Sequence, residues 1–167
     1  MPVKDQGAGL NRYRIIPRVL IFVFNREEVL LIKGAPSKRL WANQYNGIGG
    51  HIERGEDALS AARRELAEET GLKSVNLWLC GTVIIDAEPD SGIGLYIFRG
   101  EVSSRQVIPS HEGTLEWIPI SNIGNFLLVE DLPFLLPRIT IIKPGDVPFS
   151  ARYYYDKQDH LHIDFTD

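Results

Sequence analysis

The chain has 167 residues, 44% hydrophobic and 24% charged, the size and composition of one globular unit able to bury one core. A net charge of -4 argues against broad binding to a nucleic-acid polymer or an anionic membrane, and turns attention to a small ligand in a pocket. The single cysteine, Cys80, allows neither an internal disulfide nor a zinc site, and no apolar run reaches about 18 residues, so the expected setting is reducing and cytoplasmic.

Residues 1–11 read as a flexible tail, and 12–167 as one domain. The apolar run from Val19 to Phe24 suits a strand buried on both faces, and Asn25 to Glu28 suits a hairpin turn into a second strand, Val29 to Ile32. From Gly34 to Gly55 there is no period, only Gly, Pro, Asn and aromatic residues, which predicts a long shaped loop of the kind that carries function. A helix is expected from about Asp57 to Thr70, with Gly71 placed for a left-handed cap. Strands follow at Val75 to Ala87, Gly94 to Val102 and Thr114 to Ile118, with a turn at Pro89 to Gly92. Asp131 to Pro137 reads as a short helix ended by its proline. The C-terminal segment reads as a hairpin, Phe149 to Tyr155 and back to Phe165. Strands with helices to either side imply an α/β/α sandwich around a mixed sheet.

On the central helix Glu65, Glu68 and Glu69 stand at i, i+3 and i+4, and so share a face, while Leu59, Ala62 and Leu66 make an apolar stripe beside them. Like charges at that spacing repel by a few tenths of a kcal/mol per pair unless a cation is shared among them. A hard divalent ion such as Mg²⁺ takes oxygen ligands and bridges to phosphates. A solvated acidic face paired with Arg63 and Arg64 is the alternative for such a cluster taken alone.

The residues around the cluster favour the metal. From Gly50 to Leu72 the chain reads GHIERGEDALSAARRELAEETGL: Gly, five residues, Glu, seven residues, Arg-Glu, an aliphatic, one residue, Glu-Glu, one residue, Gly and an aliphatic. This resembles the Nudix signature at every specified position. The resemblance implies a Nudix fold and Mg²⁺-dependent (or Mn²⁺-dependent) hydrolysis of a phosphoanhydride in a small-molecule nucleotide. It implies Glu68 and Glu69 as metal ligands, Glu65 as a further ligand or as the base, Arg64 as the residue that holds a glutamate in place, Glu56 as a charge partner, and the Gly50 carbonyl as a ligand. Glu112, in a loop before a strand, stands as a candidate ligand or base from outside the signature, or as a surface turn residue. Neither a nucleic-acid polymer nor a membrane is expected as partner, and monomer and homodimer both stay open.

Tyr45-Asn46-Gly47-Ile48-Gly49-Gly50-His51 resembles the segment that precedes the signature in MutT-like enzymes acting on oxidised purine nucleoside triphosphates such as 8-oxo-dGTP, with His51 where lysine is common. That likeness implies Asn46 as a base contact and Asp131, in Val129-Glu130-Asp131-Leu132-Pro133, as the acid against the purine edge. Lys33, Lys38 and Arg39 are candidate phosphate contacts. Trp41, Phe126, Phe134 and Tyr153 read as core or loop packing. Hydrolysis of ADP-ribose, suggested by Pro89, and a non-catalytic nucleotide-binding module are the rival readings. The retained Glu65, Glu68 and Glu69 count against the second.

Overall fold

The structure, a computed structural model, describes residues 12–37, 40–108 and 111–166. The expected tail over 1–11, and the expected phosphate contacts Lys38 and Arg39, lie outside these described residues. The chain order is β1 (Arg14–Asn25), β2 (Glu28–Gly34), β3 (Tyr45–Asn46), β4 (Ile48–His51), α1 (Ala58–Thr70), β5 (Leu77–Glu88) and β6 (Ser91–Glu101), then β7 (Gly113–Pro119), a 3₁₀ helix (Ile120–Asn125), α2 (Leu132–Ile141), β8 (Phe149–Tyr155) and β9 (Leu161–Thr166).

The strands join in one mixed sheet, ordered β3-β2-β1-β6-β5-β8-β9, with β4 on β1 and β7 on β2. The β1–β6 and β5–β8 pairings are parallel and the others antiparallel. β1 pairs with β2 only at its end, Val23 to Asn25, and with β4 earlier, Arg18 to Ile21. The two strands therefore part, and β3 and β4 fill the opening.

Alternation along β1 supplies both cores. Val19, Ile21 and Val23 pack with Ala61, Ala62 and Leu66 of α1, whereas Leu20, Phe22 and Phe24 pack with Leu132, Leu135, Leu136 and Ile139 of α2. A helix on each face of a mixed sheet is the expected sandwich. Among the described residues no helix is long and apolar enough to cross a membrane.

Several local expectations need correction. β1 begins at Arg14 and not at Val19, because its first residues lie on β6 without being buried. The supposed loop from Gly34 to Gly55 contains β3 and β4, too short and glycine-rich to show a period. The 3₁₀ helix had no sequence signal. Pro137 does not end α2, which runs on to Ile141 with the proline inside it. A proline inside a helix costs about 3 kcal/mol, whereas burial of each of Leu132, Leu135, Leu136 and Ile139 returns about 1.5–3 kcal/mol.

The far end of α2 is closed from the sheet. Arg99 of β6 donates through Nη1 to the carbonyls of Ile139 (2.8 Å), Thr140 (2.7 Å) and Ile142 (3.0 Å), and its guanidinium lies 4.5 Å from the ring centre of Phe24. One cation thus satisfies carbonyls that the helix terminus leaves open.

Candidate active site

The site begins with a well-anchored helix. Asp57 caps α1, accepting from the Ser60 N–H at 2.9 Å and the Ser60 hydroxyl at 2.7 Å. At the other end Gly71 takes a left-handed conformation, φ 72°, and returns its N–H to the Ala67 carbonyl at 3.0 Å. The acidic face between these caps is fixed relative to β4, on which α1 packs.

Arg64 gathers the carboxylates. Its Nε donates to Glu56 Oε1 at 2.7 Å and its Nη2 to Glu56 Oε2 at 2.9 Å, a bidentate pair. Nη1 donates to Glu65 Oε1 at 2.8 Å and Glu68 Oε2 at 3.2 Å, and Nη2 also reaches the His51 carbonyl at 3.0 Å. The Arg64 guanidinium, followed by the Glu53 N–H, holds the Glu56 carboxyl at a pKa of about 2. Glu56 and Glu65 in turn raise the pKa of Arg64. Gly50 lies against the same cluster: a Cβ there would stand 2.2 Å from Glu65 Oε1.

Glu69 is buried and borders a cleft of about 90 Å³ together with Asn46, Gly47, Gly49, Gln44 and Trp41. Asn46 Oδ1 accepts from the Gly47 N–H at 2.8 Å. Trp41, read from the sequence as packing, is 45% exposed at the cleft mouth and holds a positive φ of 57°. Its place at the cleft had no sequence signal.

Asp131 does not border this cleft. The segment before it is tied to β3, with Val129 N–H on the Tyr45 carbonyl at 3.0 Å and Tyr45 N–H on the Leu127 carbonyl at 2.8 Å, but Leu132 and Val129 belong to the α2-side core. Ile32 pairs with Asn46, which puts Asn46 on the α1 side of the sheet. Burial, with Glu130 nearby, raises the Asp131 carboxyl to a pKa of about 6. The Tyr153 phenol, raised by burial and then by Asp131, is enclosed without a hydrogen-bond partner. Phe126 packs edge-on against Tyr45 at 5.3 Å, and Phe134 is exposed.

Lys33 pairs with Tyr45 on the face opposite Ile32, its Nζ 5.5 Å from the ring centre of Tyr45, whose hydroxyl donates to Glu116 at 2.7 Å. Glu112 is exposed in the turn that enters β7, next to the Gly113–Gly34 pair and so near the cleft wall. His51 ends β4 with its side chain exposed. A wider hollow of about 810 Å³, lined by Tyr13, Asp86, Glu88, Pro89, Arg152 and Tyr154 among others, shares no residue with the acidic helix.

The donor set on α1 and β4 consists of oxygen atoms, and the missing side chain at Gly50 leaves the carbonyl strand close to Glu65, so the chemistry fits a hard divalent cation. Among the described residues no three His, Cys, Asp or Glu side chains already form a metal cage. Here the guanidinium of Arg64 is the positive charge that Glu65 and Glu68 share.

The sequence model of the NUDIX domain matches residues 14–138. The chain belongs to the NUDIX domain family. It is similar to the oxidized purine nucleoside triphosphate hydrolase of Danio rerio, 31% identical over 105 residues, which cover 62% of this chain and 66% of that one. The chain thus spans slightly less than two thirds of that relative. The Mus musculus protein of the same description is 28% identical over 144 residues, 85% of this chain and 88% of its own. Among solved structures, the MutT protein of Bacillus halodurans superposes with a TM-score of 0.74 at 20% identity, covering 90% of this chain and 97% of that one. At that identity the likeness is one of fold.

Proposed function

We propose that this Nudix chain hydrolyses a phosphoanhydride bond in a nucleotide, with Mg²⁺ or Mn²⁺, and that its preferred substrate is an oxidised purine nucleoside triphosphate such as 8-oxo-dGTP, released as the monophosphate and pyrophosphate. The observation that carries the reading is the placement of Glu69 and Asn46 on one cleft at the edge of the Arg64-gathered carboxylates.

Glu65, Glu68, Glu69 and the Gly50 carbonyl would hold the ion, with Glu112 reaching in from the turn before β7. The bound ion supplies positive charge to the phosphate oxygens. Glu65 or Glu112 takes the proton of the attacking water, while Arg64 keeps Glu65 aimed and Glu56 keeps Arg64 in place. Asn46 offers both donor and acceptor to the nucleotide, and Asp131 reads the purine edge from the α2 side. The single buried Cys80 and the net charge of -4 favour a cytoplasmic protein acting on small molecules.

The test is a panel of 8-oxo-dGTP, dGTP, ADP-ribose and dinucleoside polyphosphates with Mg²⁺, scored by product identity. The reading requires 8-oxo-dGTP to have the highest kcat/KM, and monophosphate plus pyrophosphate as its products. Faster cleavage of ADP-ribose than of any triphosphate overturns the substrate. No cleavage of any of them overturns the activity.

A further inference from the structure

Arg18 is out of keeping with its surroundings. It lies in β1 on the row of Leu20, Phe22 and Phe24, facing the α2 side, and its Cα partners are His51 in β4 and Leu95 in β6. Its side chain is half-buried, and Nε is closed off from solvent with no hydrogen-bond partner. Among the described residues no hydrogen bond or ion pair to its guanidinium is seen. Withdrawing a guanidinium donor from water without a partner is costly, and such a group calls for an explanation, a ligand being one.

The register shows where such a partner would lie. Arg18 continues through Leu95 and Val83 to Ala151, and Tyr153 stands two residues further along the same face of β8. Arg18 and Ala151 are thus three strands apart, roughly 14 Å at the backbone, and Tyr153 lies two residues beyond, roughly 16 Å from Arg18. Half-buried Leu95 and Ile85 make a partly open apolar floor between them, while Val83 is fully buried in the α2-side core. At the far edge of that floor stand the Tyr153 hydroxyl, also without a partner, and Asp131. At the near edge, β4 places the exposed His51 opposite Arg18 and Gly49, without a side chain, opposite Leu20. An apolar floor with a few unsatisfied polar groups at its rim is how a site receives a flat ring and fixes its orientation.

We propose that Arg18 is a substrate-binding residue, its guanidinium donating to an acceptor oxygen of the nucleotide, either a base carbonyl or a phosphate oxygen. The proposal rests on the nucleotide reading above and adds a residue that neither the signature nor the segment before it contains.

Arg18→Met keeps the length and removes the donors, and Arg18→Lys keeps the charge without the fork. Binding is measured by calorimetry for 8-oxo-dGMP, for the nucleoside 8-oxo-deoxyguanosine and for inorganic tripolyphosphate, with thermal unfolding of the ligand-free proteins alongside. The expected result is a Tm for Arg18→Met equal to or above wild type, and a loss of affinity of about ten- to a hundredfold. Loss for nucleoside and monophosphate alike assigns the contact to the base. Loss for monophosphate and tripolyphosphate, with the nucleoside spared, assigns it to phosphate. Unchanged affinity for all three in a folded variant overturns the proposal. Should neither variant fold, the Arg18 Nε–H resonance of the wild-type protein must shift on adding these ligands, and a resonance that stays put overturns it as well. A wild-type protein that cleaves no nucleotide of the panel counts against the proposed activity, whereas normal kcat/KM in Arg18→Met counts against Arg18 alone.

Discussion

Gly50 and Glu65 are neighbours across the gap between β4 and α1, so close that any side chain on the first would occupy the carboxylate of the second. Arg64 blocks the retreat, because Glu65 Oε1 is held by its Nη1 at 2.8 Å. Gly50→Ala must therefore displace the Glu65 carboxylate, proposed above to act in catalysis, while leaving both cores intact. Displacement of about 1 Å is enough to lower kcat by about a hundredfold. Steady-state kinetics with a thermal melt should show that drop with little change in Tm, and an unchanged kcat would mean that Glu65 moves freely.

Glu69→Gln keeps the volume of a buried side chain and removes its charge from the cleft. Turnover should fall by at least about a hundredfold, as for loss of a principal electrostatic stabiliser. Glu112→Gln should lower kcat more than it raises KM if Glu112 acts in the transition state. A kcat equal to wild type would return Glu112 to the surface and leave Glu65 as the base.

Acid should loosen the corner around Arg64. The Glu56 carboxyl is held at about 2, below its ordinary 4.5, so its ion pair stabilises the fold above pH 4.5 and is lost as pH falls toward 2. Urea midpoints measured from pH 5 to pH 2.5 should drop more steeply for wild type than for Glu56→Gln. Parallel curves would show that the pair contributes nothing to folding.

Asp131 should act in the opposite sense. Burial raises its pKa from 3.8 to about 6, so the folded chain holds this proton more tightly than the unfolded one. Its contribution is greatest below pH 4, declines as pH rises to about 6 and is constant above that. Asp131→Asn should flatten stability across that window. It should also remove any change in the KM for purine triphosphates between pH 5 and 7, since the acid is a donor when protonated and only an acceptor when ionised. A KM profile identical to wild type would separate Asp131 from the base.

Arg99→Met should free the end of α2 by leaving the carbonyls of Ile139, Thr140 and Ile142 without their donor. The expected loss is on the order of 3 kcal/mol, read as a lower urea midpoint with an unchanged slope. A stability within 0.5 kcal/mol of wild type, roughly the size of a surface substitution, would refute the capping role.

The parts of the fold that the sequence made legible are those in which local chemistry and packing agree. α1 carries its start and stop signals in Asp57 and Gly71, and the apolar run of β1 marks a strand buried on both faces. β3 and β4 were illegible because a two-residue and a four-residue strand, with glycines at 47, 49 and 50, carry no alternation. Pro137 misled because the burial that outweighs it is tertiary. Within the site, Glu65, Glu68 and Glu69 share a face that spacing alone reveals. That Arg64 reaches back to the His51 carbonyl, or that Arg18 faces the α2 side without a partner, depends on β4 lying against β1, which no local pattern announces.

Because β1 feeds its odd residues to one core and its even residues to the other, the carboxylate corner and the Asp131 side are backed by separate sets of packed side chains. If the nucleotide base lies on the Asp131 side as proposed, repacking beneath α2 would reshape which ring is accepted while the corner on α1 keeps its geometry. Selectivity in such a molecule is free to drift in descent without the loss of hydrolytic power, and a single scaffold can serve many nucleotides by revising only one of its two sides.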